Sequence, residues 1–260
     1  MILRGVIAHK KREVAALKKN RAFLSQKTAL RQAGRFYRAL KKGNEMAVIA
    51  EIKRRSPSKG ILRKNFDPVL LAKQFEKSGA SALSVLTDER YFGGSMRILE
   101  KVRRATALPI LRKDFIIDES QVVQAGLGGA DAILLIAAIL SRKKMRALGS
   151  FARRLGLDVL YEVHTAGDLK KTLPLKPKIL GVNNRDLRTF EVDLKTTEKL
   201  AKKVPKGTLL VSESGIRNSA DILNLKRSGV KAVLVGESLM KKKNAGEALK
   251  KLLRGTHGSR

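Results

Sequence analysis

Acidic, basic and amide side chains follow five short apolar segments of the chain. Each segment is typical of a buried β-strand, and the polar residues stand at its end: Glu51 and Lys53, Lys113 and Asp114, Glu162, residues 183–185 (Asn-Asn-Arg), and Glu213 with Ser214. Lysines and carboxylates shift one another's pKa, so that one group can donate a proton while another accepts it. A lysine near other cations can also be held close to neutrality, which suits acid–base chemistry. A single polar residue at the end of a strand is equally well explained as a solvated charge or a salt bridge. Polar residues at the ends of five such segments favour a reactive site.

Two glycine-containing turns indicate an anion site near these residues. The sequences SESGI (212–216) and VGES (235–238) end the last two apolar segments, and backbone N–H groups in such turns bind phosphate. The loop RRSPSKG (54–60) follows the first segment, and its serines and Lys59 suit contact with an anion and movement as a lid. We therefore expect a phosphorylated substrate, with an ordinary polar loop as the alternative for residues 54–60.

The elements that must position these residues alternate regularly along the chain. Eight segments have the length and apolar content of strands: 48–53, 82–88, 109–115, 132–138, 158–163, 178–184, 208–214 and 232–238. Helices with start and stop signals are predicted between them, including 67–79, 95–106, 141–156 and 218–229. Eight βα units in 260 residues predict an α/β fold, a closed (βα)8 TIM barrel with its reactive residues at the carboxyl ends of the strands. An open doubly wound sheet is the alternative, but no strand is followed by a GxGxxG sequence.

The first part of the chain has helical periodicity instead. Four apolar residues share one face of a first predicted helix: Leu3, Ile7, Val14 and Leu17. A second helix is expected to bury the apolar residues between Phe23 and Leu40. We predict one domain over residues 1–260, with an N-terminal helical extension at 1–45 and a disordered tail at 254–260.

The composition of the chain restricts which other classes of protein it could belong to. The chain has 56 Lys and Arg against 23 Asp and Glu, and a net charge of +33 favours anionic partners. It has no cysteine, which excludes disulfides and thiolate metal sites, and its three histidines lack metal-ligand spacing. The longest apolar run, 132–140, is too short to span a membrane, and the first apolar stretch is too short for a signal peptide. We expect a cytoplasmic protein without membrane association.

The motifs that contain these residues also resemble those of a known family. They follow one another, about one per strand, from about residue 5 to about residue 250: AHKKREV (8–14), AEIKRRSPSKG (50–60), YFGGS (91–95), ILRKDFIIDESQV (110–122), ADAILLI (130–136), EVHT (162–165), GVNNRDLRTFEVDL (181–194), SESGI and VGESLM (235–240). In this order they resemble indole-3-glycerol phosphate synthase, a tryptophan-pathway barrel. The resemblance implies a carboxy-lyase without cofactor or metal. It would convert 1-(2-carboxyphenylamino)-1-deoxyribulose 5-phosphate to indole-3-glycerol phosphate, carbon dioxide and water.

The resemblance implies catalytic roles for seven residues. Lys113 would be the general acid that protonates the ketone oxygen during ring closure, and Glu162 the acid–base partner for loss of water. Lys53 would be a second catalytic cation, close to the carboxylate of the substrate. Four others would orient these groups, hold the developing hydroxyl or bind a substrate hydroxyl: Glu51, Asn183, Glu213 and Ser214.

The resemblance also implies eight binding residues. Ser56 and Arg185 match positions near the substrate carboxylate and the closing loop. Three apolar residues match positions that pack on the anthranilate ring: Phe92, Phe115 and Leu134. The phosphate would be held by backbone at Gly215, Gly236 and Glu237, the last standing where some family members have serine.

Two other functions stay open on the sequence alone. A different phosphate-binding barrel, such as a phosphoribosylanthranilate isomerase, would not need the EIK, LRKDF, EVH and SES motifs together. A nucleic-acid-binding barrel is supported only by the charge, because aromatic residues make up 4% of the chain and tryptophan is absent. Basic runs such as 202–203 and 241–243 are typical of solvated faces. We expect a monomer with, at most, weak non-specific nucleic-acid binding at low salt.

Overall fold

A closed barrel of eight parallel strands forms the centre of the molecule. The computed structural model describes residues 2–19, 32–43 and 45–254, with side chains from residue 5 onward. Each strand pairs with its neighbours in the chain, and the first pairs with the last, as predicted for a TIM barrel. The strands are β1 (Ala47–Ile52), β2 (Ala82–Leu86), β3 (Ile110–Lys113), β4 (Ala132–Ile136), β5 (Asp158–Val163), β6 (Ile179–Asn183), β7 (Leu209–Glu213) and β8 (Ala232–Val235).

Helices surround the barrel, and at least one follows every strand. In chain order they are α1 (Ile2–Lys19), α2 (Arg35–Lys41), α3 (Pro68–Lys77), α4 (Glu89–Phe92), α5 (Met96–Ala105), α6 (Glu119–Leu127), α7 (Arg142–Arg154), α8 (Ala166–Thr172), α9 (Lys195–Ala201), α10 (Ser219–Arg227), α11 (Glu237–Met240) and α12 (Ala245–Arg254). No helix among the described residues is both long and apolar enough to span a membrane.

Seven of the eight strands end earlier than the sequence pattern predicts, while β5 ends at Val163 as predicted. The segment predicted as 232–238 leaves the sheet after Val235, and the one predicted as 109–115 ends at Lys113. The polar residues beyond these points belong to the turns that form the rim. The helix starts agree better with prediction, because cap residues specify them: the Asp67 carboxylate accepts the N–H groups of Val69 and Leu70, both at 3.0 Å.

The predicted loop 54–60 is partly ordered. Residues Arg55–Ser56 pair antiparallel with Gly60–Ile61, so that a small hairpin stands over the carboxyl end of β1. At the opposite end of the chain, Arg254 is the last residue of α12 rather than the start of a disordered tail. Residues 255–260 of that predicted tail lie outside the described residues.

Two apolar layers hold the barrel together. One fills its interior with strand residues such as Ile49, Leu111 and Leu234, and the other packs the outer strand faces against the helices. From α2, Phe36 and Leu40 join the interior layer, so that this short helix is packed on the barrel itself. The second predicted helix is therefore real at 35–41, while its earlier part, from Phe23, falls in residues that the structure does not describe.

The first helix confirms only part of the predicted face, since Val14 is buried as expected. Its buried residues are Val6, Lys10 and Val14, whereas Ile7 and Leu17 are only half-buried. Lys10 has a side chain 1% exposed, and its ammonium group lies 2.8 Å from the Asp114 carboxylate. A hydrophobic pattern could not indicate this residue, because lysine is buried here by ion pairing rather than by apolar contact.

Candidate active site

The carboxyl ends of the strands surround a cavity of about 620 Å³. All fifteen residues predicted from the sequence line it, from every part of the rim: Glu51, Lys53, Ser56, Phe92, Lys113, Phe115, Leu134, Glu162, Asn183, Arg185, Glu213, Ser214, Gly215, Gly236 and Glu237. The parallel arrangement explains this, because all eight strands deliver their last residues to one end of the barrel.

Lys113 lies at the centre of a buried cluster of charges. Its Nζ lies 2.9 Å from Oε2 of Glu162, at the end of β5, and 3.2 Å from Oε2 of Glu213, at the end of β7. Both glutamate side chains are almost fully buried. The single ammonium group of Lys113 thus pairs with two carboxylates, so these three side chains include more acids than bases.

These contacts move the three pKa values in different directions. Burial alone would lower the pKa of Lys113, but the surrounding carboxylates of Glu162, Glu213 and Glu51 raise it above its ordinary value. Burial raises the pKa of Glu213, and the nearby charge of Glu162 adds to the rise. Burial would also raise the pKa of Glu162, but the charges of Lys113 and His164 bring it below the ordinary value. Lys113 is therefore an ammonium ion rather than a near-neutral amine, which corrects the expectation of a lysine held near neutrality.

A second lysine–carboxylate pair stands at the end of β1, which β2 separates from β3. Nζ of Lys53 lies 2.5 Å from Oε1 of Glu51, whose other oxygen is 3.5 Å from Oγ of Ser84 on β2. The Glu51 side chain is 6% exposed and that of Lys53 14%. Since the charge of Glu51 also reaches Lys113, the two pairs form one electrostatic unit across the floor of the cavity.

Two residues that the sequence did not single out shape this cluster. Nε2 of His164, just beyond β5, lies 3.3 Å from Oε1 of Glu162, the carboxylate oxygen that Lys113 does not contact. On β6, a Cβ atom on Gly181 would collide with Oε1 of Glu213, so that only glycine leaves room for that carboxylate. A glycine within a strand pattern is the signal that could have identified this close approach.

The aromatic side chains gather at one side of the cavity. The rings of Phe92 and Phe115 have centroids 6.2 Å apart and are tilted by 38°. Leu134, at the centre of β4, is buried and lines the same cavity. Together they offer an apolar surface for a flat ring next to the ammonium group of Lys113.

Arg185 connects three parts of the rim. One guanidinium nitrogen lies 3.2 Å from the Phe190 carbonyl oxygen and 3.4 Å from Oγ of Ser58, in the hairpin loop. The other lies 3.2 Å from a carboxylate oxygen of Glu237, at the start of α11. Its backbone N–H donates to Oδ1 of Asn183 at 3.0 Å, which orients that amide at the rim.

The turn after β7 exposes backbone toward the cavity. Ser214 and Gly215 both have positive φ values, 66° and 86°. For Gly215 this conformation favours glycine, and an added Cβ would lie 2.6 Å from Val192. For Ser214 it is strained, which is common for residues that a functional site holds in place. Asn184, the other rim amide, bonds Thr197 and Ser212 and does not line the cavity.

The buried lysine of α1 belongs to a second cluster, whose two aspartates, Asp88 and Asp114, also line the cavity. Nζ of Lys10 lies 2.9 Å from Asp88 and 2.8 Å from Asp114, and the second oxygen of Asp114 lies 2.9 Å from Arg112. Burial would raise the pKa of Asp114, but Arg112 and Lys10 lower it to about 2. This cluster attaches α1 to the ends of β2 and β3.

No group of three or more His, Asp or Glu side chains in the described part of the chain is arranged to hold a metal ion. The expectation that the protein uses neither metal nor cofactor stays a prediction.

Comparison with known proteins gives a consistent result. A family model described as indole-3-glycerol phosphate synthase matches residues 3–252. A protein of that name from Caldanaerobacter subterraneus subsp. tengcongensis is 48% identical, over 93% of this chain and 94% of its own length. Another from Desulfotalea psychrophila is 45% identical, over 97% of this chain and 98% of its own length.

Among solved structures, a 3-hexulose-6-phosphate synthase matches with a TM-score of 0.64 at 13% identity, over 81% of this chain and 99% of that chain. A thiamine phosphate pyrophosphorylase from Pyrococcus furiosus matches with a TM-score of 0.61 at 17% identity, over 82% of this chain and 96% of that chain. At these identities the likeness is one of barrel fold.

Proposed function

This chain belongs to the indole-3-glycerol phosphate synthase family, and from that premise we propose how the side chains of its cavity carry out the reaction. The chain is a carboxy-lyase of tryptophan biosynthesis. It closes the indole ring of 1-(2-carboxyphenylamino)-1-deoxyribulose 5-phosphate, with loss of carbon dioxide and water. The observation that carries the assignment of roles is the ammonium group of Lys113, held between the carboxylates of Glu162 and Glu213.

Ring closure needs a proton donor at the ketone. When an aromatic carbon attacks the ketone, negative charge develops on its oxygen, and a preorganised cation stabilises that charge. Lys113 suits this role because its raised pKa keeps it protonated and its position is fixed by two carboxylates. The apolar surface of Phe92, Phe115 and Leu134 would hold the reacting ring beside it.

Loss of carbon dioxide restores the aromatic ring and needs no proton donor. The substrate carboxylate must nevertheless be oriented, and Lys53, with Ser56 and Arg185 nearby in the same cavity, offers positive charge and hydrogen bonds for this. Glu51 fixes Lys53 through their 2.5 Å contact.

Loss of water needs an acid and a base together. Glu162, whose pKa is lowered, stays ionised and suits removal of the proton from the intermediate. After ring closure Lys113 regains a proton from solvent, the one proton that the overall reaction consumes, and can then protonate the departing hydroxyl group. The proton that Glu162 takes from the intermediate returns to Lys113, 2.9 Å away, which restores the starting state. Asn183, Glu213 and Ser214 stand around this position and would hold the departing hydroxyl and its neighbours.

The phosphate would be anchored away from these groups. The backbone at Gly215, Gly236 and Glu237 lines the cavity on the β7–β8 side. Binding energy from a phosphate at that side would position the reacting end of the substrate.

The first experiment is turnover of the substrate, followed by the fluorescence of the indole product. We expect product formation and competitive inhibition by inorganic phosphate, which would occupy the anchor without the rest of the substrate. A folded enzyme that forms no indole product would contradict the proposed roles, and inhibition that is not competitive would move the phosphate elsewhere.

The remaining sequence-based expectations stay predictions: one domain, a monomer and a cytoplasmic location. Weak non-specific binding of nucleic acid also stays a prediction, supported by the net charge of +33. Such binding depends on counterion release and should vanish as salt rises. DNA binding that persists at physiological salt would contradict it.

A further inference from the structure

The mouth of the cavity contains a carboxylate that faces cations rather than substrate. Glu237, the first residue of α11, has a side chain 26% exposed. One of its carboxylate oxygens lies 3.2 Å from the guanidinium of Arg185, and the other lies 2.6 Å from Nζ of Lys241, one turn further along. Both cations line the same cavity, so the carboxylate lies between two groups that could otherwise bind an anionic ligand.

Arg185 is fully engaged in this arrangement. One guanidinium nitrogen is held by Phe190 and Ser58, and the other by Glu237. A guanidinium binds carboxylates and phosphates through edges of fixed geometry. An anion that is to reach the Glu237 edge of Arg185 must therefore displace the Glu237 carboxylate.

The charge of Glu237 persists under ordinary conditions. Partial burial would raise its pKa, but the contacts with Lys241, Arg185 and, further away, Lys53 lower it. A phosphate monoester carries about 1.5 to 2 negative charges near pH 7. A phosphate held by the backbone at Glu237 is therefore repelled by the side chain of the same residue, which also holds Arg185 and Lys241 away from any anionic group of the ligand.

We propose that the side chain of Glu237 is an internal competitor for the anionic groups of the substrate, and that it sets how tightly the enzyme holds phosphorylated ligands. In the free enzyme it occupies Arg185. When ligand binds, Arg185 turns to the ligand and Glu237 stays with Lys241. The competition weakens the binding of substrate and product alike, which shortens the time the product is held. This inference rests on the proposed function, because it places a phosphorylated ligand in this cavity.

The test uses two variants that lose the same charge. Glu237→Gln keeps the shape of the side chain and removes its charge from the cavity mouth. Glu247→Gln removes a carboxylate that pairs with Lys250 on α12, 2.9 Å away and outside the cavity. The affinity of each protein for inorganic phosphate is measured by titration calorimetry, and KM for the substrate by product fluorescence.

We expect Glu237→Gln to lower both the Kd for phosphate and KM by about three- to tenfold, the range expected for one partly exposed charge pair. Glu247→Gln should change neither by more than about twofold. An unchanged or higher Kd in Glu237→Gln would overturn the inference, and so would an equal gain in both variants, which would mean that only net charge matters.

Calorimetry does not depend on turnover. A family of variants that binds phosphate as expected but forms no indole product would contradict the proposed roles and leave this inference standing. Absence of phosphate binding in every variant would overturn the inference while turnover could still be measured. A further check adds Lys241→Met. In the parent protein this change should raise the Kd for phosphate, because Glu237 would then turn wholly to Arg185. In the protein that already carries Glu237→Gln, the same change should raise this Kd less.

Discussion

Two clusters of buried charge start from neighbouring residues at the end of β3, and they differ in how completely their ions are paired. Asp114 faces Lys10 and Arg112, and with Asp88 it gives two buried carboxylates and two buried cations. Lys113 faces the cavity and is shared by Glu162 and Glu213, of which Glu162 also contacts His164. Successive side chains of a strand point to opposite sides, so adjacent residues can belong to such different environments.

The two clusters shift the pKa values of Asp114 and Glu213 in opposite directions. In the Lys10 cluster, the pKa of Asp114 falls to about 2, so its charge is permanent and its role is attachment. In the Lys113 cluster, burial and the neighbouring Glu162 raise the pKa of Glu213, so a proton can reside there. A carboxylate that contacts two cations, as Asp114 does, keeps its charge, whereas one that shares a single cation with another carboxylate, as Glu213 does, can take up a proton.

The largest expected effect is on catalysis, from Lys113→Ala. Loss of the positioned ammonium should lower kcat by about a thousandfold or more, because it removes both the proton donor and charge stabilisation. Substrate binding should persist through the ring and phosphate contacts. Single-turnover fluorescence and a separate binding titration measure the two effects, and kcat near that of the unchanged enzyme would sink the assignment.

The second prediction compares the two clusters through their contribution to stability. Lys10→Met leaves Asp88 and Asp114 buried with one cation fewer, which should reduce the free energy of unfolding by about 3–5 kcal/mol. Lys18→Met is a matched control on the same helix, since Lys18 is half-exposed and pairs with Asp118 at 2.7 Å. That exposed pair should be worth less than about 1 kcal/mol.

Denaturant unfolding measures both lysine variants. If Lys10→Met proved as stable as Lys18→Met, the Lys10 cluster would not be the attachment that its geometry indicates. Lys113→Ala should destabilise less than Lys10→Met, because Glu162 and Glu213 can share a proton once the lysine is gone.

A smaller loss is expected from Glu162→Gln. The amide cannot accept a proton, so kcat should fall about a hundredfold through slower loss of water. The Glu247→Gln variant, with the same chemical change at an exposed helix position, should leave turnover unaltered. A change confined to KM would mean that Glu162 binds substrate rather than taking part in proton transfer.

The smallest effect is a difference in the pH dependence of stability. Asp114 has a lowered pKa, so its contribution is present above its ordinary value of 3.8 and is lost as pH falls to about 2. Glu213 has a raised pKa, so its contribution is present below 4.5 and is lost as pH rises toward about 8. Glu213→Gln should therefore flatten the decline of Tm between pH 5 and pH 9, without altering the loss below pH 4. Calorimetric scans that show the same alkaline decline in both proteins would contradict the assignment.

The repeated strand and helix signals were enough to predict the barrel. Strand content came from apolar runs, and the regular alternation with helices left few topologies. Strand ends were less predictable, because the reactive residues continue the pattern into the turns, as the segment predicted as 109–115 illustrates. The hairpin at 55–61 was missed because its strands are only two residues long and lie outside the barrel.

Fold geometry and resemblance were enough to predict which residues line the cavity, but not the electrostatics among them. Whether Lys113 would meet cations or carboxylates depends on which rim side chains turn inward, and the sequence does not contain that information. Lys10 was hidden for a similar reason: its partners, Asp88 and Asp114, are far away in the chain and become neighbours only when α1 packs on the rim.

The pairing of β1 with β8, in which Ala50 stands opposite Val235, has a consequence for how the protein is made. On the ribosome, β1 emerges before the six strands that precede its partner β8, so one edge of the growing sheet stays open until β8 follows. Contacts between such distant segments form late in folding. Glu51 stands on β1, and its cavity is completed only when β8 docks. The nascent chain is therefore inactive until β8 has been made, and its exposed sheet edge is where a chaperone or an unwanted neighbour would bind.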